Sequence, residues 1–167
     1  MKEILIITGA CGVGKSTISK KWAKLKNGAI IESDFFTEWL FNKNYERFSR
    51  EEEILVADLA LATAKQYLKH RMPVAIEYVW SPLGLDQIKK SFENELEEVQ
   101  LKFVWLKCKL AENHRRDQLR IPENQMKERV DIVNAELLHY KWPAYLNIID
   151  TTHLTEAETL NQIEKLQ

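Results

Sequence analysis

One stretch, Ile4-Leu5-Ile6-Ile7-Thr8-Gly9-Ala10-Cys11-Gly12-Val13-Gly14-Lys15-Ser16-Thr17, constrains this chain more than any other. Four aliphatic residues in a row read as a buried strand, a glycine-rich turn follows, and the next run can start a helix. Gly9, Gly14, Lys15 and Ser16 satisfy the spacing G-x-x-x-x-G-K-[ST], the phosphate-binding P-loop pattern. Glycine reaches positive φ and, having no Cβ, lets the backbone come close to a phosphate. Successive N–H groups then form an anion nest, reinforced by the positive end of the helix starting near Lys15. The residues lining the phosphates are therefore Gly9, Ala10, Cys11, Gly12, Val13, Gly14, Lys15, Ser16 and Thr17. Lys15 sets its ammonium between the β- and γ-phosphates, Ser16 offers a hydroxyl to Mg²⁺, and Thr17 contacts the α-phosphate. The expected ligands are a nucleoside triphosphate and Mg²⁺.

At 167 residues the chain is expected to form one domain, large enough to bury a core without staples. A formal net charge of −1 disfavours a polyanion-binding surface, and with it nucleic acid as a partner. Two cysteines, Cys11 and Cys108, provide no disulfide framework and suit a reducing compartment, so the expected location is the cytoplasm. No long apolar run marks a membrane span, and the chain enters a strand at once, with no signal peptide visible.

Beyond the loop, strand and helix patterns alternate. The first strand spans 3–8 and its helix runs from Ser16 to about Leu25. A second strand, 28–32, leads into Ser33-Asp34-Phe35-Phe36. Residues 35–48 hold a dense aromatic set, Phe35, Phe36, Trp39, Phe41, Tyr45 and Phe48, and spacing of that kind places most of it in a core. Ser49 and Glu52 form a capping box opening a helix to about His70, with Pro73 forbidding continuation. Residues 74–80 read as a third strand, 99–108 as a fourth and 146–150 as a fifth, with helices marked by Leu85, Ile88 and Phe92 and by Met126, Val130, Val133 and Leu137. Thr155 and Glu158 cap a last helix. Such alternation predicts an α/β fold, a parallel sheet covered on both faces.

Ligands of these sheets bind at the carboxyl ends of the strands. Those ends carry the P-loop, Glu32 with Asp34, Glu77, and Asp150-Thr151-Thr152, so acidic side chains converge where phosphates and Mg²⁺ would lie. Asp34 is the candidate to take the proton of an acceptor hydroxyl, with capping of the helix beginning at Phe35 as its alternative role. Glu32 either supports Mg²⁺ through water or is a solvated strand end. Glu77 sits in an apolar strand, where an isolated carboxylate is costly, and either backs Mg²⁺ or makes a local hydrogen bond. Arg116 and Arg120 stand four apart, so on one helix they share a face and can clamp a transferring phosphate; the alternative is a solvated charged face partnered by Glu112 and Asp117. No D-x-x-G element or N-K-x-D after a strand is present, which argues against a GTPase switch.

With the P-loop, Glu32-Ser33-Asp34, an arginine-rich stretch Arg115 to Arg120 and Asp150-Thr151-Thr152, nearly the whole chain resembles the P-loop small-molecule kinases. That family includes shikimate kinase, gluconate kinase and chloramphenicol phosphotransferase. The resemblance implies a P-loop NTPase fold with a five-stranded parallel sheet of order 2-3-1-4-5, a lid about 112–127 and an acceptor-side segment about 35–70. It also implies ATP and Mg²⁺ as cofactors and a small-molecule phosphoryl acceptor as partner, with the protein acting as a monomer or homodimer. Asp34 matches the family's acceptor-side carboxylate. The chain departs from gluconate and shikimate kinases in having no dense arginine set for an acceptor carboxylate beyond Arg47 and Arg50. The aromatic content instead points to an acceptor with an apolar face. The competing reading is a nucleotide-binding ATPase or regulatory module without a small-molecule acceptor.

Overall fold

A computed structural model describes residues 2–42, 46–93 and 98–166. Tyr45 of the aromatic set lies outside the described residues. The chain runs β1 (Lys2–Thr8), α1 (Lys15–Leu25), β2 (Ala29–Glu32), α2 (Asp34–Glu38), α3 (Arg50–Lys69), β3 (Val74–Glu77) and α4 (Pro82–Ser91). It continues through β4 (Val99–Lys107), α5 (Leu110–Gln118), α6 (Arg129–His139), β5 (Asn147–Asp150) and α7 (Glu156–Glu164). All strand pairs are parallel, in the order β2-β3-β1-β4-β5. Helices cover both sides of the sheet, α1 packing with α7 and α3 with α4. The central position of β1 explains its unbroken aliphatic run: Ile4, Leu5, Ile6 and Ile7 are all fully buried.

Turn and cap chemistry sets the element ends. Ser81 caps α4, accepting from the Leu83 N–H at 3.2 Å, with Pro82 in the first turn. Thr155 and Glu158 form the expected reciprocal box on α7. At α3, Ser49 accepts from the Glu52 N–H at 3.1 Å, but the Glu52 carboxylate reaches one residue further back, to the Phe48 N–H. That bond holds Phe48 in the left-handed region at φ 64, a strained setting for a bulky residue. At the amino end of β1, Glu3 joins Lys102 of β4 (2.9 Å) and Lys26 beyond α1 (3.1 Å), and Lys26 reaches Glu164 of α7. Burial alone would raise the Glu3 carboxyl, yet these two lysines outweigh it and hold it below the ordinary range.

Three expectations are corrected. The third strand stops at Glu77 rather than Trp80, because its neighbours end at Thr8 and Glu32 and nothing remains on the β2 side to pair with. Most of the aromatic set is not core: Phe35, Trp39, Phe41 and Phe48 are exposed and Phe36 is half-buried. The reason is that α2 lasts only five residues, so near-helical spacing never becomes one helix face. Lastly, α5 ends at Gln118, which leaves Arg120 in the following turn and off the face that Arg116 occupies.

Candidate active site

The loop between β1 and α1 takes left-handed glycine conformations at Gly12 (φ 83) and Gly14 (φ 103), which turn successive amides to one side. Gly9 is required sterically, since a Cβ there would stand 2.3 Å from the Leu106 carbonyl oxygen of β4. Lys15 opens α1, and its buried ammonium donates to the Gly9 and Ala10 carbonyls at 2.9 and 3.1 Å. An ammonium has three donors, so one remains for a ligand. The Ser16 hydroxyl donates to Glu77 Oε1 at 2.7 Å. Glu77 is 2% exposed, and its other oxygen, Oε2, has no partner among the described residues. Burial raises the Glu77 carboxyl above its ordinary range; Lys15 and the Ser16 bond oppose this, while Asp34 and Glu32 add to it.

Above the loop lies a cavity of about 570 Å³. Cys11, Gly12, Gly14, Lys15, Ser16 and Thr17 form its floor, with Glu77 and Tyr78 at the end of β3 and Asp34 at the start of α2. The far wall is α6, which turns Arg129, Val133 and Leu137 inward at helical spacing, with Tyr140 lining the cavity just past the helix end. Phe48 closes the side, with the Arg129 guanidinium 4.2 Å from its ring centroid, a cation–π contact. Glu53 lines the same wall but is committed, accepting from Ser81 N–H and Oγ at 2.7 Å each.

The predicted site residues separate into groups. Lys15, Ser16, Glu77, Asp34 and Arg120 share the cavity with the loop amides. Gly9, Ala10 and Val13 lie behind that surface; Ala10 and Val13 are buried and Gly9 abuts β4. Asp34 does not cap its helix: Ser33 holds the N-cap position, and no hydrogen bond engages the Asp34 carboxylate among the described residues. Glu32 sits outside the main cavity, with Lys20 Nζ 2.7 Å from its carboxylate. Arg116 is also outside. Its guanidinium donates to Glu112 (2.7 Å), to Val13 O (3.3 Å) and to Thr151 Oγ1 and O (2.9 and 2.7 Å). Among the described residues the Arg120 guanidinium keeps only a 3.3 Å bond to Asn124 O and a 3.7 Å approach to Asp117, and it borders both the main cavity and the shallower cleft beside α2.

Sequence reasoning missed Asn113, Arg129 and Tyr140, and named Asp117 only as a partner of a solvated charged face. Asn113 and Asp117 are four apart in a stretch that otherwise reads as a solvated charged face, and nothing but that spacing marks them. Asp117 is 2% exposed and accepts from the Met126 N–H (3.0 and 2.9 Å) and Lys127 N–H (2.9 Å), closing the turn that carries Arg120. Burial alone would raise its carboxyl, but these N–H groups, helped by Arg120 and His114, bring it below the ordinary value of 3.8. A depressed carboxyl adds stability above its unfolded value and loses it as pH falls through the folded one. Asp117→Asn is expected to cost about 1–3 kcal/mol at neutral pH. Urea unfolding of both proteins should show the difference shrinking below about pH 4. A difference that stays constant to pH 2 would contradict this role.

Comparison with known proteins adds to this geometry. The model of a family described as an AAA domain matches residues 5–139. No curated protein sequence matches significantly. Among solved structures, a sugar kinase from Janibacter sp. is 12% identical, with 97% of this chain and 92% of that chain covered and a TM-score of 0.74. A gluconokinase from Sinorhizobium meliloti is 16% identical, with 96% and 89% covered and a TM-score of 0.68. An APS kinase from Mycobacterium tuberculosis, solved with AMPPNP and APS, is 16% identical, with 98% and 95% covered and a TM-score of 0.66. At these identities the likeness is one of fold.

Proposed function

The chain belongs to the AAA-domain family of P-loop proteins and has the fold of the P-loop small-molecule kinases, and from that premise we propose that it is an ATP- and Mg²⁺-dependent kinase transferring the γ-phosphoryl group to a hydroxyl of a small molecule. The observation that carries this reading is the Asp34 carboxylate, which lines one cavity with the P-loop and makes no hydrogen bond among the described residues. An ATPase without an acceptor has no use for such a group beside an apolar wall. The activities of those neighbours, on a sugar, on gluconate and on APS, support a small-molecule acceptor without specifying it.

In this reading the amides of the loop would hold the triphosphate, and the spare donor of Lys15 would supply a positive charge to it. The chemistry at Ser16 and Glu77 fits Mg²⁺, a hard cation that prefers oxygen ligands and keeps several waters. Ser16 Oγ would ligate it, and the unpartnered Glu77 Oε2 would accept from one of its waters. Held there, the ion would supply charge neutralisation to the transferring phosphate. Asp34 takes the proton as the acceptor oxygen bonds to the γ-phosphorus and the bond to the β,γ-bridging oxygen breaks, leaving ADP. Arg120 stabilises the transferring group from the turn after α5. Phe48, Tyr78, Leu137 and Tyr140 give the acceptor an apolar face to lie on. The two unpaired cysteines suit the cytoplasm, where we place the protein.

The test is ADP release measured with MgATP alone and with a panel of hydroxyl compounds. Kinase activity predicts release that rises with particular acceptors, together with a phosphorylated product by mass spectrometry. Release that is equal with every acceptor and with none would favour an ATPase or regulatory module.

A further inference from the structure

We propose that Asn113 of α5, held by Asn134 of α6, is a positioning residue that aims the Gly12 amide of the P-loop at the phosphates. This inference rests on the nucleotide-binding reading of the loop and goes beyond it. Asn113 is fully buried and lies outside the cavity. Its Nδ2 donates to the Cys11 carbonyl at 2.6 Å, and its Oδ1 accepts from Asn134 Nδ2 at 2.8 Å. Asn134 is itself anchored, donating to Val130 O at 2.7 Å. An amide side chain has one donor end and one acceptor end, and among the described residues each has a single partner, so the orientation of Asn113 is determined.

The consequence for the loop follows from peptide geometry. A trans peptide points its C=O and the next N–H in opposite directions, and among the described residues there is no cis bond. Holding the Cys11 carbonyl from outside the cavity therefore turns the Gly12 N–H inward. One turn along α5, Arg116 grips the Val13 carbonyl in the same way and turns the Gly14 N–H inward. The fit is close: a Cβ at Gly12 would stand 2.7 Å from Asn113 Nδ2, so glycine is needed there for the contact as well as for its φ. Because Asn134 belongs to the helix that walls the acceptor side, the relay also ties that wall to the phosphate nest.

Selective ¹⁵N-glycine labelling of the full chain tests this, since five glycines give few signals and three of them lie in the loop. The probe is inorganic tripolyphosphate with Mg²⁺, followed by amide shifts and by calorimetry. In Asn113→Ala the Gly12 signal is expected to move before any ligand is added, and the Kd to rise about three- to tenfold, the effect of one hydrogen bond. Asn134→Ala should show the same signature more weakly. Gly28 and Gly84, remote from the loop, should keep their parental shifts, which a general loss of structure would not allow. Parental Kd and parental Gly12 shifts in both variants would overturn the proposal. If Asn113→Ala does not fold, all five signals collapse and Asn134→Ala decides: a raised Kd with a displaced Gly12 signal supports the relay, and a parental Kd sinks it. Failure of the parental protein to bind tripolyphosphate would count against nucleotide binding itself, a separate result.

Discussion

Lys15→Met is expected to abolish phosphoryl transfer, a loss of at least about 10²–10³-fold, while the protein still folds. Methionine fills a similar volume, so the loop keeps its packing. What disappears is a buried cation with hydrogen bonds to Gly9 O and Ala10 O and one donor left for the phosphates. Triphosphate binding should weaken as well, because the charge acts on ground state and transition state alike. Glu77 would feel the loss too. Lys15 is the main influence holding its buried carboxyl down, so in the variant Glu77 should titrate higher still. Calorimetry with a non-hydrolysable ATP analogue and an ADP-release assay measure the two effects. Parental affinity together with parental turnover would remove the central claim.

Asp34→Asn should lower transfer by about 10²–10⁴-fold and leave ATP affinity nearly unchanged. The substitution preserves size and removes the negative charge and the proton-accepting capacity. Stability should stay close to parental, since Ser33 rather than Asp34 holds the N-cap position and no hydrogen bond engages the carboxylate among the described residues. Slow acceptor-independent hydrolysis should survive, as water needs no positioned base in a loose transition state. Transfer is followed with an acceptor identified in the panel, binding by calorimetry. Transfer at the parental rate would show that Asp34 plays no part in the chemistry. Loss of ATP binding would instead assign Asp34 to the Mg²⁺ shell beside Glu77.

Features legible in the sequence share a physical character: they are local. The loop declares itself because phosphate binding by backbone amides needs glycine at particular positions and one lysine beside a hydroxyl. Parallel strands buried on both faces declare themselves as aliphatic runs, and β1, at the centre, is the plainest case. The caps of α3 and α7 come from short motifs whose partners lie within three residues. Glu77 was readable in the same way, as a carboxylate in an apolar strand that must find a partner.

Other roles depended on groups distant in the chain. Arg116 and Arg120 look equivalent at a spacing of four, yet α5 ends between them. One becomes a brace between Val13 and Thr151, and the other borders the cavity. Glu32 and Glu77 both end strands and are register partners, but Lys20 of α1 engages the first while Ser16 engages the second. The aromatic residues after Asp34 have the spacing of a core helix and lie largely exposed, because α2 is too short to gather them.

By itself, then, the sequence determined that this chain makes a parallel α/β sheet with a phosphate-binding loop at the end of its first strand. Both follow from backbone geometry and local hydrophobic pattern, which operate over a few residues. Only the tertiary structure decided which charged side chains line the cavity beside that loop and which are consumed as braces. Asn113 shows the reason: its function is set by a carbonyl 102 residues away and an amide 21 residues away. A polar side chain takes its role from whatever partner the fold brings within hydrogen-bonding distance, and no local pattern records that partner.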